Sequence, residues 1–173
     1  PPEILKKHNI RVTPQVLIWD NETFRDGVDI QPVEFYNRLK TAKTMPSTSQ
    51  VSPAAMQAAF QGLVDQDMDV LGIFISSKLS GTLQSAIQAK EMMGTAGGRV
   101  TLVDSQSTAM ALGFQVLTAA RARESGASLA ACVSLAENAH KRTGVFFAVD
   151  TLEFLHRGGR IGGGSMSCAS MRP

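Results

Sequence analysis

Cysteine is scarce in this sequence. Cys132 and Cys168 are the only two among 173 residues, and no CxxC spacing occurs. A zinc or thioredoxin-like site is therefore not expected, and the simplest setting is a reducing one, the cytoplasm. Aromatic residues are also few, at 6%, which argues against a base-stacking platform. Charge of one sign is lacking too. The net charge is +2 with no long basic run, so no nucleic-acid partner is expected. No apolar stretch reaches the length of a membrane span. The opening residues PPEILKKHNI contain no apolar run of the kind a secretory signal needs. No initiator Met stands first, and the chain is expected to be trimmed or a fragment.

What is present is an ordinary globular composition. Hydrophobic residues make up 43% and charged residues 18%, enough for one domain with its own core. In IRVTPQVLIW the apolar residues Ile10, Val12, Val16 and Ile18 alternate as in a strand, and Pro14 implies an edge or a break. Asp26-Gly27 marks a turn, and Pro32 suits the first turn of a short helix. Ser52 with Pro53 should open a helix that buries Met56, Ala59, Phe60, Leu63 and Val64.

VLGIFI reads as a strand covered on both faces, followed by a helix burying Leu83, Ala86 and Ile87, and RVTLVD as the next strand. From Thr108 to Ala120 the chain is apolar nearly all round, which predicts a deeply buried helix. Gly126 should end it and Ser128 cap another, with Leu129, Cys132, Val133 and Ala136 on its buried face. VFFAVD is expected to be a further strand, and Asp150 with Glu153 a capping box for the helix TLEFLHR. This alternation predicts an α/β layered fold with a mainly parallel sheet flanked by helices. The loops SSKLSGT, DSQST and DTLEF should share the carboxyl edge of that sheet, where such folds bind ligands.

The stretch SSKLSGTLQSA holds Ser76, Ser77, Ser80, Ser85 and Thr82 around Gly81. A helix N-terminus with several hydroxyls suits a carboxylate or phosphate, because unpaired N–H groups and the positive dipole end face the anion. The same residues would also serve if Ser80 only capped the helix, and residue types alone leave both open. A second cluster, PSTSQVSP, also precedes a helix. Two such loops on one chain point toward a shared anion site.

Other chemistry is poorly served. RGGRIGGGS matches neither a P-loop nor a dinucleotide fingerprint and follows a helix instead of a strand. It reads as a linker. His8, His140 and His156 are scattered, no G-x-S-x-G elbow occurs, and no strand-end loop contains a histidine, so a Ser-His-Asp triad is not expected. No metal-ligand spacing and no cofactor motif is present.

The combination FRDGVDI, PVEFYNRL, TSQVSP, ISSKLSGTLQSA, VDSQSTAMALG and VDTLEFLHRGGRIGG, in that order from Phe24 to Gly163, resembles the DegV family. The resemblance implies a two-lobed α/β protein that binds a long-chain fatty acid, with the carboxylate held by loop hydroxyls between the lobes. It further implies a carrier, not an enzyme, which in some bacteria presents the fatty acid to a fatty acid kinase. The matching carboxylate positions are Thr48 with Ser47 and Ser49, and Ser80 with Ser77 and Gly81. Arg157 and Arg160 match a basic segment that would touch a partner or head group. Residues 1–163 then form a DegV-like N-terminal lobe without the family's usual first strand, and 164–173 an unrelated tail. The competing expectation is an α/β enzyme acting on a small phosphorylated or carboxylated substrate through Ser77 or Ser80. A third is a regulatory lobe that binds a partner protein.

Overall fold

The computed structural model describes residues 2–146 together with 148, 149, 152, 155, 156, 159 and 161. A short helix α1 (Pro2–Lys7) leads into three strands, β1 (Val16–Trp19), β2 (Glu22–Arg25) and β3 (Ser47–Ser49). Helix α2 (Pro32–Thr41) lies between β2 and β3, and α3 (Pro53–Val64) follows. Then come β4 (Val70–Phe74), α4 (Thr82–Met92), β5 (Val100–Asp104), α5 (Ala109–Glu124) and α6 (Leu129–Ala139).

The strands form two separate sheets. β1 is the middle strand of an antiparallel sheet ordered β2-β1-β3. β4 and β5 pair in parallel, Val70 opposite Val100 through Phe74 opposite Asp104, with α4 as the crossover. The α/β class with helices flanking a small parallel sheet is thus observed, and the antiparallel sheet stands beside it. Pro14 precedes the strand that holds Val16, so it marks a break and not an edge. The alternation expected from Ile10 to Ile18 has the other phase. Leu17 and Trp19 face inward and Ile18 faces out, because α2 covers the Leu17 side.

Each sheet has its own core. Trp19, Leu17 and Ile30 pack with Phe24, Phe35 and Leu39, and Phe35 meets the Trp19 ring edge-on at 5.4 Å. The Arg38 guanidinium lies 4.7 Å from the Trp19 ring centroid. Around the parallel pair, Met56, Phe60, Val70, Ala86, Ala89 and Val100 form the larger cluster. Ser52 caps α3 by accepting from Ala55 N at 3.3 Å, and Ser128 caps α6 by accepting from Ala131 N at 3.3 Å. Gly126, at φ +84°, closes α5 as expected.

Three expectations need correction. Helix α5 is one-sided and not buried all round, because Met110 and Phe114 are more than half exposed while Ala111, Gln115, Ala119 and Ala120 are buried. Ala59 of α3 is exposed. In VFFAVD, Val145, Phe146, Ala148 and Val149 are not in a strand, and Phe146 is 99% exposed. An isolated strand is not stable without a neighbour, and among the described residues β4 pairs only with β5. Phe147 and the capping box of Asp150 and Glu153 lie outside the described residues, as do Arg157, Arg160 and residues 164–173.

Candidate functional site

The carboxyl ends of β4 and β5 lie side by side, so the loops that follow them meet. Ser76 N donates to Ser107 O at 2.9 Å, and Ser105 N donates to Phe74 O at 3.0 Å. Ser77 donates its hydroxyl to Asp104 Oδ2 at 2.6 Å, and its N–H points at the same carboxylate. Gln106 N completes the set by donating to Asp104 Oδ1 at 2.8 Å. Burial pushes the Asp104 carboxyl up. The Ser77 hydroxyl, the Gln106 and Ser77 N–H groups and the Lys78 charge outweigh that and hold it below its ordinary value. Asp104 therefore stays ionised and clamps the two loops together.

Helix α4 begins just beyond. Its N-cap residue is Gly81, which makes no side-chain cap. Ser80 lies one residue before the cap position, and its hydroxyl accepts from Thr82 N, the first N–H of the helix, at 3.3 Å. Ser80 Oγ also lies 2.8 Å from Thr82 Oγ1, which accepts from Gln15 Nε2 at 3.0 Å.

The second hydroxyl loop reaches the same place through Gln50. Its Nε2 donates to Ser85 Oγ at 3.0 Å, and its amide oxygen sits so close to Gly81 that a Cβ there would overlap it. Glycine at 81 thus leaves room for the Gln50 amide and is not demanded by backbone conformation, since its φ is −75°. Strand pairing sets Thr48 opposite Leu17 and Ser47 opposite Ile18. Opposed residues share a face, so Thr48 lies on one side of β3 and Ser47 and Ser49 on the other. No hydrogen bond among the described residues engages the hydroxyls of Ser47 or Thr48, whereas Ser49 donates to Gln50 O at 3.3 Å.

The Gln50 side chain thus joins the second hydroxyl loop to the first turn of α4. Ser77 is committed to Asp104, while Ser80 and Thr48 remain available. Gln15 and Gln50 were not singled out from sequence, because each acts through a contact with residues far along the chain. For Asp104, DSQST, noted as a strand-end loop, carried the one available signal, since Asp at a strand end favours such local turns.

Beside this polar edge runs an apolar cleft of about 760 Å³. It follows β4 from Val70 to Ile75, with Met56, Phe60 and Leu63 of α3 on one wall and Leu112, Val116 and Leu117 of α5 on the other. Gln15 and Thr82 also line it, so the Gln15–Thr82 hydrogen bond is a boundary between cleft and hydroxyl loop. Among the described residues no cluster of His, Cys, Asp and Glu could hold a metal ion. No helix among them is long and apolar enough to cross a membrane.

A sequence model of the family described as uncharacterised DegV-family protein matches residues 1–171. The chain belongs to the DegV family. A DegV domain-containing protein of Deinococcus radiodurans is 36% identical over 95% of the chain. Among solved structures, a DegV-family protein of Thermus thermophilus described for its fatty acid binding superposes with TM-score 0.84 at 36% identity, covering 95% of this chain and 58% of its own. DegV of Bacillus subtilis, described as a fatty acid binding protein, gives 0.83 at 29% identity, covering 92% and 56%. A stearic acid-binding protein from Eubacterium ventriosum gives 0.81 at 28%, covering 94% and 57%. The chain spans 57% of the length of its Deinococcus relative.

Proposed function

We propose that this DegV-family protein binds a long-chain fatty acid as a carrier, with the carboxylate held by hydroxyls at the N-terminus of α4. The observation that carries the reading is the meeting of two hydroxyl loops there, tied by Gln50 to Gly81 and Ser85. Thr48 and Ser80 are the principal donors. Ser47 and Ser49, on the other face of β3, and the Gly81 backbone belong to the proposed set, and Ser77 acts by holding the loop through Asp104. The dipole of α4, an 11-residue helix, favours an anion at this end. Fatty-acid binding by the Thermus, Bacillus and Eubacterium relatives supports the same ligand class.

Neutral hydroxyls suit a carrier. They recognise the carboxylate without the tight ion pair that a buried Arg or Lys would form, so the ligand can be passed on. The receiving partner in this reading is a fatty acid kinase that phosphorylates the carboxylate, with Arg157 and Arg160 as its contact.

The enzymatic alternative is less well supported. Ser77 does have a carboxylate at 2.6 Å, but a carboxyl held below its ordinary value is a poor base for a serine proton. His8 is bonded to Glu124 at 3.0 Å and His140 to Glu137 O at 2.7 Å. Neither bond brings an imidazole to the serines.

Native mass spectrometry of the purified protein tests the proposal. A co-purifying mass of acyl-chain size, released by organic solvent, is expected. Protein that carries no such mass and takes up no added fatty acid would overturn it.

A further inference from the structure

We propose that Gln15 and Thr82 are positioning residues that fix Ser80 as a hydrogen-bond donor toward the ligand head group. The inference rests on the carboxylate reading above. Thr82 is only 6% exposed, so its hydroxyl proton needs a partner inside the protein. Thr82 Oγ1 already accepts from Gln15 Nε2 at 3.0 Å, and that amide nitrogen only donates. Among the described residues, the oxygen within reach of the Thr82 proton is Ser80 Oγ at 2.8 Å. Ser80 Oγ accepts a second bond from Thr82 N at 3.3 Å.

A serine hydroxyl has two acceptor sites and one proton. Both acceptor sites of Ser80 are then filled, and only its proton remains to be given. The opposite direction, Ser80 donating to Thr82, would leave a buried threonine proton without an acceptor. The bonds therefore run one way, from Gln15 to Thr82 to Ser80 and outward, and each polarises the next. A head group that only accepts, such as a carboxylate, fits this end. A head group that only donates, such as an alkylammonium, finds no lone pair at Ser80. The device selects by hydrogen-bond polarity and needs no positive charge.

Calorimetric titration of the protein with hexadecanoic acid, its methyl ester and hexadecylamine tests this. Thr82→Val keeps the side-chain shape and removes both bonds. It should weaken the acid by about tenfold, the loss of one well-oriented bond to a charged acceptor, while the amine loses nothing. Thr82→Ser should restore the acid, and Gln15→Met should shift it the same way as Thr82→Val by less. A merely structural role would lower acid and amine together, and that result would overturn the inference. So would a Thr82→Val protein that folds and keeps the full preference of wild type for acid over amine. If Thr82→Val does not fold, the contrast between Gln15→Met and wild type decides in the same way. Wild-type protein that binds acid and methyl ester equally would instead overturn the carboxylate reading itself.

Discussion

The hydroxyl loops at the carboxyl end of β4 and the apolar cleft along that strand share one residue, Thr82, yet differ in how their polar groups are met. In the loops the donors and acceptors answer one another. Ser76 N meets Ser107 O, Ser105 N meets Phe74 O, and Asp104 gathers Ser77 and Gln106. Along the cleft, β4 has no strand partner among the described residues on the side away from β5. Volume alone would make the cleft the obvious seat for a fatty acid. The polar accounting instead underlies the head-group reading proposed for the loops.

The first way to press this comparison is through the cleft wall. Phe60 is buried in the larger core and also lines the cleft. Phe60→Ala should cost about 3–5 kcal/mol in urea denaturation. A loss under about 1 kcal/mol would mean that the wall is loose surface and the cleft poorly formed.

A smaller effect is expected from the clamp. Asp104→Ala strands three donors and should cost about 1.5–3 kcal/mol, the range for bonds to a charged group. The Asp104 carboxyl is held below its ordinary value by the Ser77 and Gln106 donors, so the native state favours its ionised form. Its stabilisation is complete above the ordinary carboxylate range and is lost as pH falls through the depressed value. The gap in urea midpoint between wild type and Asp104→Ala should therefore close in acid. A gap independent of pH would assign the loss to packing.

The smallest effect belongs to Gly81→Ala. The new methyl meets the far end of the flexible Gln50 side chain, which can swing away. The stability cost should be about 0.5–1.5 kcal/mol, one neutral hydrogen bond from Gln50 to Ser85. Crystallography of the variant should find Gln50 displaced and the two loops no longer tied. An unmoved Gln50 would show that the helix start shifts instead.

These two regions were unequally legible in the sequence. Helix starts at Ser52 and Ser128 were readable because a cap is decided within four residues. The parallel pair was readable from two short apolar runs. Leu17 and Trp19 were misread because the apolar pattern before Pro14 continued a phase that the strand does not share. Met110 and Phe114 were misread as buried because hydropathy alone does not say which side of a helix is covered. The polar edge was legible in its hydroxyls and hidden in its wiring. Gln15 finds Thr82 across 67 positions, Gln50 finds Ser85 across 35, and Ser77 finds Asp104 across 27. Only a folded chain brings those pairs together.

The central claim is that neutral hydroxyls at the start of α4 read a carboxylate. Titration calorimetry of Thr48→Val and Ser80→Ala with a long-chain fatty acid and its methyl ester tests it most directly, with melting temperature measured alongside. Each substitution should weaken the acid by about ten- to a hundredfold, the loss of one bond to a charged acceptor, and leave the ester nearly unchanged. Equal loss of acid and ester in both variants would contradict the account, since these loops would then shape the acyl-chain site without reading the carboxylate.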